Sequence, residues 1–546
     1  MSRYCRSSFL FSAMSRETVE TQLSDTRGNI AIPEKVEFLV RIFVLAIGLM
    51  LLSRNIDTWF VGLREDNNAL YGQFARNHIY YGLRYTKLFH TYGTTQTAPA
   101  KPERYLNNPP LLSVWAAIPM IVFGDHEWAV RSVSIATTLG SAWILMVIIS
   151  RLQSPTLGLL TGLFYLILPM TAYFGRIVEY TSATQFFGLL MLHGYLQWAG
   201  FYGNGYRRNA GVLYYILGVV LGIGTGWAAV IMAGLIWLWH ICRTFRDRSQ
   251  VRFLPRLTVI PAISLAAVII HILYGGGSFS NLFLSHIVGV GLEKPILWRE
   301  WASANASYLV GNFSKLGIGA AVIYPLIIAG VIRYTKEDSA LRQIVRNGTS
   351  VIPILLTLLQ GLIWVIVFRQ QSGTHEYWHY FLAPFFATAM ASVILTVFVL
   401  LSERMPRFAA GVTILLMFLP LPFFIGSTEE LYHYRWSSED TVKIIAVFKK
   451  LDQLFPPRTA VMVSEDYRHS SISIPQLDYY ANRPLIYSRD IGEIETNHQG
   501  CAAYVLEPKD DPNAYQFAEK LKEKYKLVYA EQGYMIFLLN PHSAGE

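Results

Sequence analysis

The chain has 546 residues, 53% hydrophobic, 14% aromatic and only 15% charged, with a formal net charge of +9 and a mean hydropathy of +0.32. Soluble globular domains carry about 25% charged residues, so this composition excludes an ordinary soluble protein and points to a membrane one. The basic excess sits in short loops between apolar segments, a topology signal rather than a polynucleotide groove, so no nucleic-acid partner is expected.

Residues 1–36 are polar and rich in Ser, Thr and Arg, and their apolar run Phe9–Phe11 is shorter than a signal-peptide core. A disordered cytosolic tail is expected there. Apolar segments then follow near 38–55, 109–123, 128–149, 156–173, 181–202, 211–226, 227–242, 257–274, 316–333, 351–369, 380–402 and 408–426. A span needs about 20 mostly apolar residues. The 109–123 segment is short by that measure, and the uncharged 211–242 run is either one long helix or two short ones.

Charge decides both. Five short loops are basic: Arg151; Arg207 and Arg208; Arg243 to Arg256; Arg333 to Arg346; Arg404 and Arg407. Short basic loops stay cytoplasmic. All five share one side only if 211–242 crosses twice, broken at Gly222, Gly224 and Gly226, and if 109–123 lies along the membrane surface. The expected fold is a polytopic α-helical membrane protein with about eleven transmembrane helices. Its N-terminus is cytoplasmic, its transmembrane domain covers 37–430, and its extracytoplasmic first loop covers 56–127. The 174–180, 275–315 and 370–379 loops share that outer side.

From about residue 436 the pattern changes. Ala460–Val463, Leu485–Tyr487, Ala502–Leu506 and Tyr534–Leu538 read as short buried strands, with a charged helix from Tyr515 to Tyr525 between the last two. A small extracytoplasmic α/β domain over 436–546 is expected. It has no Gly-rich phosphate loop and no nucleophile elbow. The three cysteines, Cys5, Cys242 and Cys501, are scattered and support neither a disulfide framework nor a structural zinc site.

The chemistry-bearing residues gather at the outer ends of the spans. The first loop contributes Arg64, Glu65, Asp66, Asn67, Arg84, Lys87 and Asn108; the 174–180 loop contributes Arg176 and Glu179; Arg369, His375, Glu376 and Tyr377 precede a late span. An acid beside the bilayer is costly to place there idly and is a functional candidate by default. Asp66 and Glu65 read either as a carboxylate base for a hydroxyl nucleophile or as the cap of a helix over Asn68–Tyr81. Arg176 and Glu179 read either as a second acidic site or as a solvated turn. In HEYWHYFLAP, His375 and His379 are four apart, so on an α-helix they face one ligand: a metal, a substrate or an interfacial belt. GIGTGW at 222–227 follows no strand and is a helix break rather than a dinucleotide fingerprint.

Several of these stretches, in order, resemble the membrane glycosyltransferases of family 39, the protein O-mannosyltransferase and lipid A aminoarabinose transferase group with the GT-C fold. They are EDNNALYGQFARNHIYYGL, YLNNPPLL, FGDHEWAVRSVS, LPMTAYFGRIVEYTSATQFF and HEYWHYFLAP. The resemblance implies an enzyme of the cell (inner or plasma) membrane. Such an enzyme moves a hexosyl or pentosyl unit from a polyprenyl-phosphate donor to a hydroxyl of an envelope glycan, lipid or protein, with inversion. It implies Asp66 as the loop-one acid, with Asn67 the alternative by spacing back from Arg76, and Glu179 as the second acid. Glu65 is the remaining catalytic candidate. Arg64, Arg84, Lys87, Arg176 and Arg369 are the cations available for donor phosphate. Asn67, Asn108, His375, Glu376 and Tyr377 are the substrate-binding candidates, and a divalent cation is left open as a cofactor. The alternative is a transporter or flippase of lipid-linked saccharides, which would need polar breaks deep within its spans.

Overall fold

The computed structural model describes residues 33–540 apart from 96–97, 204–206, 279–295, 336–338, 340, 342–349, 434–438, 465–473, 489–490, 498–499, 507–511 and 532. The expected tail falls almost wholly outside the described residues. The chain is a polytopic α-helical protein that ends in a small α/β unit.

The helices that matter here are α1 (Glu34–Leu52), α2 (Glu65–Tyr81), α3 (Leu111–Phe123), α4 (Glu127–Leu152), α5 (Pro155–Ile167), α6 (Pro169–Phe174), α7 (Tyr180–Trp198), α8 (Arg208–Thr225), α9 (Ala228–Arg246), α10 (Leu254–Tyr274), α11 (Trp298–Tyr334), α12 (Ile352–Val367) and α13 (Ala383–Arg404). Two further helices, α14 (Pro406–Phe418) and α15 (Leu421–Tyr432), follow in line. Among the described residues, seven helical stretches are long and apolar enough to cross a membrane. The segments expected to span near 38–55, 156–173, 181–202 and 351–369 are also helical, but they are shorter, broken or more polar. The second of these, for instance, is divided at Leu168 before Pro169.

The 211–242 run is two helices. Only Gly226 interrupts it; Gly222 and Gly224 lie inside α8. Their bare Cα atoms serve packing instead, since a Cβ on Gly224 would stand 2.6 Å from Leu111. Helices α7 and α8 meet backbone to backbone: a Cβ on Gly194 would lie 2.3 Å from the Tyr215 nitrogen, and one on Gly218 would lie 2.4 Å from the Met191 nitrogen. Small residues give membrane helices this close approach, where burial of apolar surface alone provides no drive.

At 13 residues and about 1.5 Å per residue, α3 is too short to cross a hydrocarbon core of about 30 Å. It packs on α2 and α4 and leaves Ile118, Ile121, Val122 and Phe123 exposed, the apolar edge of a surface-lying helix.

The first loop is stiffened by a hydrogen-bonded relay whose proton positions follow from its partners. His90 Nε2 faces the Pro109 carbonyl at 3.1 Å, so it carries the proton. His90 Nδ1 therefore accepts from Ser113 Oγ (2.7 Å). Ser113 Oγ then accepts from His78 Nε2 (2.8 Å), and His78 Nδ1 accepts from Thr86 Oγ1 (2.8 Å). The relay joins α2, the turn at Thr86, strand β1 (His90–Thr91, paired with β2, Arg104–Tyr105) and α3. Both imidazoles must be neutral, and burial pushes His78 down to about 4 and His90 to about 3 from the usual 6.5.

Because the unfolded chain takes up these protons first, stability rises with pH across this window. It is complete above about 6.5 and falls as the pH drops toward 4, by up to about 1.4 kcal/mol per pH unit for each histidine. Thermal unfolding in detergent between pH 7.5 and 4.5 should show the slope, and His78→Gln should flatten it. An unchanged slope in that variant would remove His78 from the account.

The C-terminal unit holds a five-stranded sheet in the order β4 (Leu485–Tyr487), β3 (Val461–Val463), β5 (Ala503–Leu506), β7 (Tyr534–Leu538), β6 (Lys526–Glu531). Strands β3, β4 and β5 run parallel, and the β6–β7 hairpin closes the sheet antiparallel to β5. The central strands β3 and β5 are wholly buried apolar runs, as parallel strands covered on both faces should be. Strand β6, KLVYAE, is a polar edge strand and is not visible in the apolar pattern.

Candidate active site

Helix α2 begins abruptly. Its N-cap, Arg64, sits in the left-handed region (φ +61°), and no side chain caps the first turn. For a non-glycine residue that conformation costs about 1 kcal/mol or more and needs outside support. The guanidinium supplies it: Arg64 forks onto Glu376 at 2.9 and 3.0 Å and donates to the Thr374 carbonyl at 2.6 Å. The expected helix over Asn68–Tyr81 therefore starts at Glu65, and Asp66 lies within its first turn rather than capping it. The two acids lie one residue apart near the positive end of the helix dipole, and they point to different fates.

Glu65 turns inward and is fully buried. It accepts from Arg131 (2.8 Å), Arg176 (2.7 Å) and Asn68 (2.5 Å). Burial alone would raise its pKa, but the two guanidiniums outweigh that and hold the carboxyl below its usual range. Buried and held by two guanidiniums and an amide, this carboxylate is turned away from the half-buried Asp66 and serves the packing of α4 and the 174–180 loop. Arg176 is engaged inward in the same way: its Nη2 meets Glu65 and its Nη1 reaches the Arg54 carbonyl and Tyr432 Oη. Arg64, bound to Glu376, is committed in the same sense.

Arg131 carries the most contacts in this cluster, yet its sequence pattern gave it no role. From α4 it donates to the carbonyls of Ile56 (2.7 Å), Thr58 (2.6 Å) and Trp59 (3.2 Å) as well as to Glu65. It is fully buried and collects the chain as that chain leaves α1. An arginine one turn into an apolar helix, in FGDHEWAVRSVS, is the signal that marked it.

Asp66 is half-buried. Partial burial raises its pKa, with Arg64 opposing and Glu376 adding to the rise. Glu179 is the N-cap of α7 and accepts from the Tyr180 amide at 2.6 Å and from the Tyr377 hydroxyl. Burial, with a smaller contribution from Asp66, pushes it up to about 8, so it is protonated at neutral pH. Asp66, Glu179, Arg64, Glu376 and Tyr377 thus share one electrostatic neighbourhood. Tyr71 and Tyr105 border it, and Asn108 donates to their hydroxyls at 3.0 and 3.5 Å. Asn67 is half-buried beside Asp66.

Other candidates fall elsewhere. Lys87 donates to Tyr274 Oη at 2.8 Å, Arg369 lies 4.3 Å over the Trp298 ring, and Arg84 is exposed on the Leu83–Thr86 turn. None of the three contacts either carboxylate. His375 is turned to Thr374 and Gln371. The histidine pair does not converge: Glu376–Leu382 is a 3-10 helix, in which side chains three apart eclipse and those four apart diverge. Among the described residues no group of three His, Cys, Asp or Glu side chains is arranged to hold a metal ion.

Beside the carboxylates, a polar cavity of about 230 Å³ opens between β2 and the turn after α10; its lining includes Tyr92, Arg104, Tyr105, Asn107 and Gly276. Arg104 reaches the Gly275 carbonyl at 3.2 Å and lies 4.5 Å over Phe89. Its buried Nε has no hydrogen-bond partner among the described residues. Neither Arg104 nor Lys87 has an acidic partner there.

A polytopic helical fold with two short helices, α2 and α3, between the first long ones and a small α/β unit after the last defines the class: the chain has the GT-C fold of membrane glycosyltransferases. No family model matches the chain, and no curated protein does. Among solved structures it is similar to ArnT from Cupriavidus metallidurans bound to undecaprenyl phosphate, at 13% identity and a TM-score of 0.58, covering 92% of this chain and 99% of that one. It is also similar to the Archaeoglobus fulgidus oligosaccharyltransferase in complex with Zn and sulfate, at 12% identity and a TM-score of 0.50, covering 92% of this chain and 74% of that one. At such identities the likeness is one of fold.

Proposed function

We propose that the protein is a glycosyltransferase that moves a sugar from a polyprenyl-phosphate donor to an acceptor hydroxyl outside the cytoplasm. The observation that carries this reading is the half-buried Asp66 in one electrostatic neighbourhood with the buried Glu179, with Arg64 held by Glu376 beside Asp66 and the Tyr377 hydroxyl bonded to Glu179. The likeness to a structure holding undecaprenyl phosphate supports the donor class. The N-terminus is cytoplasmic; the 56–127 loop, the carboxylates and the 436–546 domain face the other side of the cell or plasma membrane.

Asp66 takes the acceptor's hydroxyl proton as that oxygen bonds to the anomeric carbon. The carrier phosphate leaves from the opposite face with the electrons of its C–O bond, so the centre inverts. A base with a raised pKa suits that step at neutral pH. Glu179, protonated, is a neutral hydrogen-bond donor beside it rather than a second charge. Arg104, which lines the polar cavity, holds the phosphate and neutralises it as it leaves, with Lys87 on Tyr274 as a further cation. The acceptor is an envelope glycan, lipid or protein.

Lipid mass spectrometry of envelope glycans with and without the gene tests the reaction: a glycan should lose one sugar when the gene is absent, and an unchanged profile would oppose the reading. Arg104→Ala should raise KM for the lipid donor by about tenfold or more, the range of a lost charge-assisted contact. An unchanged KM would move the phosphate elsewhere.

A further inference from the structure

The chain between α1 and the site is irregular from Ser53 to Arg64, and its backbone groups need partners as any buried peptide does. Arg131 serves the first part. Tyr173 Oη donates to the Leu63 carbonyl at 2.9 Å just before Arg64. Between them, both peptide groups of Phe60 are taken by one helix of the C-terminal unit, α16 (Ile474–Ala481). The Phe60 amide donates to Tyr480 Oη at 2.5 Å, and Gln476 Nε2 donates to the Phe60 carbonyl at 2.5 Å.

The same helix touches α2 further along. Gly72 is bare because a Cβ there would stand 2.8 Å from the Tyr479 ring. Arg76 donates to the Tyr479 carbonyl (2.7 Å), lies 4.1 Å over that ring and pairs with Asp125 (2.6 Å). Tyr479 Oη donates to Asp125 at 3.1 Å. Helix α16 thus holds the chain on both sides of Asp66: at Phe60 in the irregular segment six residues before it, and at Gly72 and Arg76 on α2 beyond it.

We infer that Gln476 and Tyr480 are positioning residues of the transferase site, and that the C-terminal unit acts as a clamp fixing the register of the Phe60–Asp66 segment. This rests on the transferase reading above. Neither side chain touches a carboxylate; each acts through the Phe60 peptide, whose position sets Gly62 (φ +132°), the left-handed Arg64 and hence Asp66. Reaction geometry is sensitive to such displacement: a shift of about 1 Å costs about a hundredfold in rate.

The test uses the intact protein in detergent, with Tyr480→Phe, which keeps the ring and removes only the hydroxyl, and Gln476→Met, which keeps the size but leaves no donor for the Phe60 carbonyl. Hydrogen exchange of peptides spanning 56–64 should quicken in both variants. Turnover should fall by about ten- to a hundredfold at unchanged KM for the lipid donor, with the melting temperature close to that of the parent. Unchanged exchange would overturn the clamp. Faster exchange with unchanged turnover would overturn the positioning role. If the parent protein transfers no sugar, the transferase reading fails and the positioning role falls with it, while exchange still judges the clamp.

Discussion

Asp66→Asn is expected to lower sugar transfer by about 10²- to 10⁴-fold, the usual share of a general base, while leaving folding and carrier-lipid binding near normal. The side chain keeps its size at a half-buried position and accepts from its own and the next backbone amide, which the Asn oxygen can still do, so little of the packing depends on its charge. Transfer of a labelled sugar from a purified lipid donor, with melting temperature and carrier binding in parallel, makes the comparison. Because the carboxylate is the active form and burial raises its pKa, the acid limb of kcat/KM should lie above the ordinary 3.8 and activity should rise with pH through it. Glu179→Gln should be milder at pH 7, since the parent residue is already protonated there. Full activity in Asp66→Asn would end the assignment and pass the base to Glu179, whose carboxyl would then have to ionise.

What the sequence made legible follows from which signals are local. Apolar length and loop charge located the apolar helices, though α11 begins at Trp298, inside the stretch expected to be an outer loop, and the alternation of short apolar runs located four of the five strands of the C-terminal sheet. Strand β6 was missed because an exposed edge strand has no apolar run to display. The grouping of Asp66, Glu179, Arg64, Glu376 and Tyr377 was legible because all five stand at span ends on one side. Which of two adjacent acids is free was not. Glu65 and Asp66 are neighbours with the same chemistry, and what separates them is that Glu65 meets Arg131 and Arg176, residues 66 and 111 positions away. The histidine pair failed for a smaller reason: the spacing was read at 3.6 residues per turn, and the segment winds at three. The part of the C-terminal unit that grips α2 was hidden too, since Gln476, Tyr479 and Tyr480 act through backbone groups that no side-chain motif records.

Glu65→Ala should therefore act on stability before it acts on chemistry. The carboxylate is the shared partner of two guanidiniums that are themselves at most 3% exposed. Removing it leaves two like charges buried together with no counter-ion, and breaking a buried pair in this way costs about 3–5 kcal/mol. Against a total stability on the order of 5–15 kcal/mol, that is enough to lower the yield of folded protein severely. Glu65→Gln, which keeps an acceptor oxygen but no charge, should fall between the two, and Arg131→Met should also destabilise by releasing the Ile56, Thr58 and Trp59 carbonyls. Melting in detergent monitored by tryptophan fluorescence separates the possibilities. A Glu65→Ala protein that melts like the parent and yet transfers no sugar would return Glu65 to the catalytic group. A protein that melts far below the parent would make it the residue that holds Arg131 and Arg176 in place, so that the chain leaving α1 can present Asp66.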